Sequence, residues 1–162
     1  MRILGIDPGY DRCGVAVLEK EGGKESLLFS TCITTDKSVS FEHRLVTVTK
    51  ELAGLVETYK PMTCALEQLY FTTNKKTAMR VAEVRGAIVA MMCERGITIR
   101  ECGPGQVKVA ITGDGRATKR QMIMMVPRLV SISKTVQYDD EYDAIAIALT
   151  ASAYMRTQQG NI

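Results

Sequence analysis

Four carboxylates crowd the start of an apolar segment near the end of the chain. They stand in the sequence DDEYDAIAIA, residues 139–148, at Asp139, Asp140, Glu141 and Asp143. Acids in the first turn of a helix are an ordinary stabilising feature, because the helix N-terminus carries partial positive charge and unpaired N–H groups. Asp140 and Asp143, however, are three residues apart and share one face of a helix. They can do chemistry together only if acids from distant parts of the chain reach the same place.

Two isolated acids each follow a short apolar stretch that reads as a buried strand. Asp7 ends RILGID, and Glu67 follows the apolar start of TCALEQLY. A carboxylate in such a position is unfavourable unless it is paired or bound to a metal. If the two strands are parallel neighbours, their C-terminal ends adjoin and bring Asp7 beside Glu67. The sequence therefore predicts that these two acids converge with Asp140 and Asp143.

Such a cluster needs cations, because close carboxylates repel one another and raise one another's pKa. His43 is the only histidine and the five cysteines include no Cys-x-x-Cys, so the metal ligands would be oxygens, which favours Mg²⁺ or Mn²⁺. Two divalent ions about 4 Å apart are a known device for phosphodiester cleavage, one activating water and the other stabilising the leaving oxygen. The expected chemistry is metal-dependent hydrolysis with water as the nucleophile and no covalent intermediate.

The elements that must position these acids alternate along the chain. RILGID, CGVAVLEK and ESLLFSTCIT predict three strands joined by short turns and therefore an antiparallel start. A helical period then runs from Phe41 to Tyr59, with Ser40 as N-cap, and stops at Pro61. A fourth strand, a long helix closed by Gly96 and a fifth strand imply a right-handed crossover and a parallel pair.

The last third of the chain is predicted to be mostly helical. A short segment PGQVKVAI and a glycine-rich loop TGDGRAT precede a helix from about Lys119. We expect this helix to kink or end at Pro127, because an interior proline removes one hydrogen bond and clashes with the preceding turn. A final helix is predicted from about Asp140 to Met155.

Length and composition are those of one globular domain spanning residues 1–162. The chain is 46% hydrophobic and 24% charged, a mixture typical of a globular domain that buries a single core. The start MRILGIDPGY fits neither a signal peptide nor a membrane span, so we expect a cytoplasmic protein with no membrane association.

The charge is unevenly distributed. Residues 61–134 hold 12 Lys and Arg against 5 Asp and Glu, whereas the segments on either side are net acidic. A basic middle is compatible with a phosphate-rich partner. The alternative is a basic face that serves only solvation.

Five motifs resemble, in order and spacing, the RuvC-type Holliday junction resolvases of bacteria. They are GIDPG, ALEQLYF, VRGAI at residues 84–88, GQVKVAITGDGRATKRQM and DDEYDAIAIAL, and they span nearly the whole chain. The resemblance implies a ribonuclease H-like α/β fold, with a mixed five-stranded sheet flanked by helices. In that sheet the first three strands are antiparallel, and the fourth and fifth run parallel to the first.

The same resemblance implies an activity and its partners. It implies a homodimeric endonuclease that makes symmetric paired nicks, in strands of like polarity, at four-way DNA junctions during recombination and repair. Two Mg²⁺ ions per active site are implied, with Mn²⁺ able to substitute. A branch-migration helicase complex is a further implied partner.

The family's functional residues can be carried onto matching positions of this chain. Its catalytic, metal-binding acids fall on Asp7, Glu67, Asp140 and Asp143. Its basic residues near the scissile strand fall on Lys108 and Lys119, with Lys119 also expected to act in catalysis. Its aromatic residue at the strand exchange point falls on Tyr70.

Further residues are candidates for DNA contact from their type and place. Phe71 lies next to Tyr70, and basic side chains surround the glycine-rich loop or recur along the long helix: Arg116, Arg120, Lys75, Lys76, Arg80 and Arg85. The alternatives are that Phe71 packs in the core and that Arg120 and the basic residues of the long helix only keep their helices solvated. Asp114, inside the basic loop, departs from this pattern.

Three other functions remain open at this point. GIDPG also resembles the phosphate-binding strand of sugar-kinase and actin-like ATPases, but that function needs a second such domain, which 162 residues cannot hold. A related nuclease that cuts flaps, forks or RNA–DNA hybrids is an alternative, and so is a protein that binds junctions without cutting them. A pure binder, however, would gain nothing from a repulsive acid cluster.

Overall fold

The structure, a computed structural model, describes residues 1–68 and 75–159, with the side chains of 75, 76 and 156–159 left aside. Its elements follow one another in the order β1 (Arg2–Asp7), β2 (Arg12–Glu21), β3 (Lys24–Thr34), α1 (Phe41–Tyr59), β4 (Thr63–Glu67), α2 (Lys75–Glu94), β5 (Thr98–Cys102), α3 (Pro104–Thr112), α4 (Lys119–Leu129) and α5 (Asp139–Gln159).

The five strands form one mixed sheet in the order β3-β2-β1-β4-β5. β1 pairs antiparallel with β2, and β2 with β3, whereas β4 runs parallel to β1 and β5 parallel to β4. This confirms the predicted sheet. β1 and β4 therefore end at the same edge, and their register pairs Ile6 with Leu66.

Helices cover both faces of the sheet. Successive side chains of a strand point to opposite faces, so Leu4 and Ile6 pack with α1 and α2 while Ile3 packs with α3, α4 and α5. Asp7 lies four residues after Ile3, and Glu67 two after Ala65, which packs in the same cluster as Ile3. Both acids therefore project from the face that α5 covers.

Two glycines let α5 lie unusually close to the sheet. A Cβ added to Gly5 would overlap the carbonyl oxygen of Ala144 and come within 2.7 Å of the Ala148 Cβ. A Cβ added to Gly14 would overlap the carbonyl oxygen of Asp140. Only glycine fits such close backbone approaches, and these two fix the start of α5 over the ends of β1 and β2.

Three boundaries differ from the sequence prediction. The segment predicted only as short is a helix, Pro104–Thr112, with proline in its first turn, where no backbone N–H is needed. α4 continues for two residues past Pro127 and ends at Leu129, so the one hydrogen bond that the proline removes falls in the last turn of the helix. α5 begins at Asp139 and runs beyond the predicted end to Gln159. Within the described residues, no helix is both long enough and apolar enough to cross a membrane.

Candidate active site

Two strand ends and one helix bring four acids together at one edge of the sheet. Since Ile6 pairs with Leu66, the next residues on both strands, Asp7 and Glu67, emerge side by side. Asp7 also pairs with Gly14, whose missing side chain admits the first turn of α5. Asp140 and Asp143 reach the same edge from that turn. The convergence expected from the sequence is therefore present in the structure.

The carboxylates affect one another's protonation strongly. Burial, followed by the charges of Asp143, Asp140 and Glu67, raises the pKa of Asp7 to about 7. Burial and the charge of Asp143 raise the pKa of Glu67, and burial together with neighbouring acids raises that of Asp143. Such shifts mark a group of acids whose full ionisation is unfavourable without added positive charge.

Lys119 supplies one positive charge from the first turn of α4. Its helix start is fixed by Thr118, whose hydroxyl oxygen accepts from the Gln121 N–H while Gln121 Oε1 accepts from the Thr118 N–H at 2.8 Å. Lys119 Nζ donates to Asp143 Oδ2 and lies 3.5 Å from Asp139 Oδ2. Partial burial works to lower the pKa of Lys119, but the hydrogen bond and charge of Asp143 outweigh it and raise the pKa.

Arg12 supplies a second positive charge that sequence reasoning missed. Its Nε lies 3.1 Å from Asp140 Oδ2 and its Nη2 lies 3.9 Å from Asp139 Oδ1. Its guanidinium carbon lies 5.4 Å from the ring centre of Tyr138. The acids of α5 thus lie between Lys119 on one side and Arg12 on the other. Nothing in the turn DPGYDR shows that it meets the start of α5.

The site fits a divalent cation in ligand type and in electrostatics. Its donors are carboxylate oxygens, the ligands that Mg²⁺ and Mn²⁺ prefer. The buried Asp140 Oδ2 makes no well-aligned hydrogen bond, although Arg12 Nε lies 3.1 Å away, and burial and neighbouring charges make Asp7 resist ionisation. Across residues 1–68 and 75–159, no three such side chains are arranged to hold a metal ion as they stand. Asp143 is turned to Lys119 and Asp140 to Arg12, so both carboxylates would have to rotate toward a bound ion.

An ion pair between a buried acid and a half-exposed lysine steadies the segment that leads into α5. Glu141 is only 3% exposed, and its Oε1 lies 2.6 Å from Lys134 Nζ. Lys134 also donates to the carbonyl oxygen of Ser30 in β3 at 2.6 Å. Glu141 therefore differs from its acidic neighbours, because it anchors the chain instead of facing the cluster.

The predicted basic residues near the glycine-rich loop lie on the same side of the sheet as the acids. Lys108 in α3 is near enough to Glu67 for its charge to work against the raised pKa of that acid. Arg116 and Arg120 are exposed. The carboxylate of Asp114 accepts from the Arg116 N–H at 2.8 Å. Asp114 thus shapes the loop, which accounts for an acid in a basic segment.

Two basic residues of the long helix α2 are engaged in contacts within the protein. Arg80 lies over the Phe41 ring, 4.0 Å from its centre, and pairs with Glu83 at 3.1 Å. Arg85 is largely buried and pairs with Glu101 of β5. Both arginines contact other elements of the protein, Arg80 contacting α1 and Arg85 contacting β5, and their DNA contacts stay predictions. Tyr70 and Phe71 lie outside the described residues, as do the side chains of Lys75 and Lys76.

Comparisons with known proteins agree on one family. A family model described as crossover junction endodeoxyribonuclease RuvC matches residues 3–151. The protein of that name from Thermosipho melanesiensis is 43% identical over 148 residues, covering 91% of this chain and 94% of the relative. Its counterpart from Petrotoga mobilis is 42% identical over 157 residues, covering 97% and 96%.

A solved structure extends the likeness to three dimensions. T. thermophilus RuvC, described as in complex with Holliday junction substrate, matches with a TM-score of 0.90 at 28% identity, covering 98% of this chain and 96% of that one. The resemblance stated from five motifs and the ribonuclease H-like fold are confirmed.

Proposed function

Because this chain belongs to the RuvC family of crossover junction endodeoxyribonucleases, we propose that it resolves four-way DNA junctions by cutting two strands of like polarity. The observation that carries the proposal is the meeting of Asp7, Glu67, Asp140 and Asp143 at one sheet edge, with the pKa of Asp7 raised to about 7. This is the arrangement of acids that a metal-dependent phosphodiesterase needs.

The four acids would hold divalent cations, with Mg²⁺ as the physiological choice and Mn²⁺ as a substitute. When bound, such ions activate a water molecule for attack and stabilise the leaving oxygen. The carboxylates fix the ions at the end of a rigid sheet. Lys119, half exposed beside Asp143, is placed to stabilise the negative charge that builds on the scissile phosphate.

The basic surface beside the acids would hold the DNA backbone. Lys108 lies in α3, Arg116 in the loop between α3 and α4, and Arg120 in α4. Contacts of this kind fix the register of DNA through its phosphates and weaken as salt rises. A preference among junction sequences would come from shape and deformability near the cut.

Paired cutting calls for two identical sites, so we propose that the protein acts as a homodimer. A two-fold dimer presents the same acid cluster to both strands of a symmetric junction. Association with a branch-migration helicase complex follows from the family alone and stays a prediction. Light scattering of the purified protein coupled to size exclusion tests the dimer.

A junction-cutting assay tests the activity. A synthetic four-way junction, with each strand end-labelled in turn, is incubated with protein in Mg²⁺, Mn²⁺ or EDTA beside matched linear duplex, flap, fork and RNA–DNA hybrid. We expect symmetric nicks in two strands of the junction alone, in either metal and not in EDTA. If a flap, fork or hybrid were cut while the junction stayed intact, the result would contradict the proposal and favour the alternative nuclease.

Matched carboxylate variants separate catalysis from folding. Asp7→Asn should abolish cutting while the junction is still bound, because binding depends on the basic surface. Glu57→Gln, an exposed position on α1, should leave both unchanged. Binding without any cutting by the unaltered protein would indicate a junction-binding protein and contradict the proposal.

A further inference from the structure

A cavity of about 550 Å³ opens directly beside the acid cluster, on the side of Arg12. Asp7 and Asp140 contribute to its lining, and its other walls carry two aromatic and two basic residues: Tyr10, Tyr138, Arg12 and Lys37. The volume lies within the range of ~300–1,000 Å³ typical of pockets for small organic groups. Neither the acid cluster nor the basic surface around α3 and α4 accounts for these residues.

One wall of the cavity is held rigidly by Arg44, a buried arginine of α1. Its Nη2 donates to the carbonyl oxygen of Tyr10 at 3.1 Å, and its Nε donates to the Thr35 hydroxyl at 2.8 Å. It also pairs with Asp11 and lies 4.9 Å from the centre of the Tyr10 ring. The Tyr10 ring in turn packs edge-on against Phe41. A loop fixed by this many contacts forms a preorganised wall.

Another part of the lining is the Arg12–Tyr138 surface, formed by two planar side chains. The Arg12 guanidinium and the Tyr138 ring lie 5.4 Å apart, a distance at which a cation attracts an aromatic face. The Arg12 side chain is 45% exposed, so part of it remains accessible to a ligand. Planar guanidinium and aromatic groups are the surfaces on which unpaired bases stack.

Charge in the cavity also suits a nucleotide. Asp11 is neutralised by Arg44 and lies 3.9 Å from Lys37, which is highly exposed at the rim. If Asp140 turned toward a bound cation, Arg12 would lose its nearest carboxylate, and its charge would become available to the DNA. The cavity then has Asp7 and Asp140 at its inner end, Lys37 at its mouth and, beside Lys37, the neutralised Asp11.

We propose that this cavity binds the nucleotide adjacent to the scissile phosphate, with its base stacked against the Arg12–Tyr138 surface and its phosphate near Lys37. The cleaved strand would pass from Lys119, across the acids, toward Arg12. The base of the nucleotide on the Arg12 side of the scissile phosphate would be unstacked from the duplex. This inference rests on the proposed function and adds Arg12, Tyr138 and Lys37 to the residues proposed to contact DNA.

A fluorescent base tests the inference without cutting. 2-Aminopurine is placed in a synthetic four-way junction at the nucleotide before or after the mapped cut, and fluorescence and anisotropy are recorded with the unaltered protein in Ca²⁺. We expect a change of roughly two-fold or more at one of the two positions, because transfer of the base from the duplex to a protein surface alters its stacking.

Four variants separate stacking from charge and from folding. Tyr138→Ala and Arg12→Lys should abolish the fluorescence change, the latter while retaining positive charge. Tyr138→Phe should retain it, since the ring remains. Arg95→Ala, an exposed position at the opposite edge of the sheet, should be neutral. Thermal unfolding shows that each variant is folded, and anisotropy of the junction shows that it is bound to the DNA.

The outcomes are distinct. No fluorescence change at either position with the unaltered protein bound, or a change that persists in both Tyr138→Ala and Arg12→Lys, would overturn the inference and leave the proposed function standing. Failure of the unaltered protein to bind the junction would instead remove the proposed function, and this inference with it.

Discussion

Replacement of Asp7 by asparagine should make the protein more stable when divalent metal is removed. The pKa of Asp7 is raised from 3.8 to about 7 in the folded protein. A raised pKa means that the stabilisation present below about pH 4 is lost as pH rises through 7, because the folded state resists ionisation more than the unfolded chain does. An uncharged side chain at this position escapes that loss.

The magnitude follows from the shift. The difference between 3.8 and about 7 is roughly 3 pKa units, and at 1.36 kcal/mol per unit it corresponds to about 4 kcal/mol between pH 4 and pH 8. Some of this is relieved when neighbouring carboxylates move apart or take up protons. We therefore expect Asp7→Asn to exceed the unaltered protein by about 2–4 kcal/mol in unfolding free energy at pH 8.

Urea unfolding in EDTA at pH 4.5 and pH 8, at one fixed protein concentration, measures the effect. The advantage of Asp7→Asn should be small at the lower pH and large at the higher, and Glu57→Gln should show no advantage at either. Added Mg²⁺ or Mn²⁺ should restore the stability of the unaltered protein and have little effect on Asp7→Asn. An equal or lower stability of Asp7→Asn at pH 8 would refute the argument that carboxylate repulsion destabilises this site.

Three further predictions concern packing, ion pairing and catalysis. Gly14→Ala should lower the unfolding free energy by about 2 kcal/mol or more, because its Cβ would overlap a backbone oxygen. Gly54→Ala, in open space on α1, should instead raise the unfolding free energy by ~0.5–1 kcal/mol. Urea unfolding of both variants tests this, and similar losses of stability in the two would contradict it. Lys134→Met should lower the unfolding free energy by about 2 kcal/mol, because it leaves Glu141 buried and unpaired, and adding Glu141→Gln should recover that stability. If urea unfolding shows no recovery in the double variant, the loss comes from packing and not from the unpaired charge. Lys119→Ala should slow junction cutting by about 10²–10³-fold with little loss of binding, as single-turnover rates and anisotropy would show; equal losses in both would reduce Lys119 to a phosphate contact.

The sheet and the acid cluster were predictable because they depend on local signals. Strand lengths, turn residues and the helical period fix β1 to β5, and a crossover has one favoured hand, so Asp7 and Glu67 had to end at one edge. Spacing alone leaves both Asp139 and Asp140 on the helix face of Asp143, and the family resemblance assigned the metal-binding role to Asp140. In the structure the Asp140 side chain is 19% exposed and that of Asp139 51%.

What the sequence could not show were contacts between segments that share no pattern. The pairing of Arg12 with Asp140 depends on the distance between a turn and a helix start, and that distance depends on Gly14. Lys134 and Glu141 are seven residues apart and carry no signal of burial. Arg85 looked like a DNA-binding residue because its helix is basic, yet Glu101 of β5 lies within its reach.

The close fit of α5 against Gly5 and Gly14 has a consequence for how metal occupancy would be detected. The backbone amides of Ala144 to Thr150 are in a fully buried stretch of helix, and such segments exchange their protons with solvent only when the whole molecule opens. Asp140 and Asp143 belong to that same helix. A cation held by them would therefore slow deuterium uptake in the last amides to exchange, deep in the domain, as well as in those near the site.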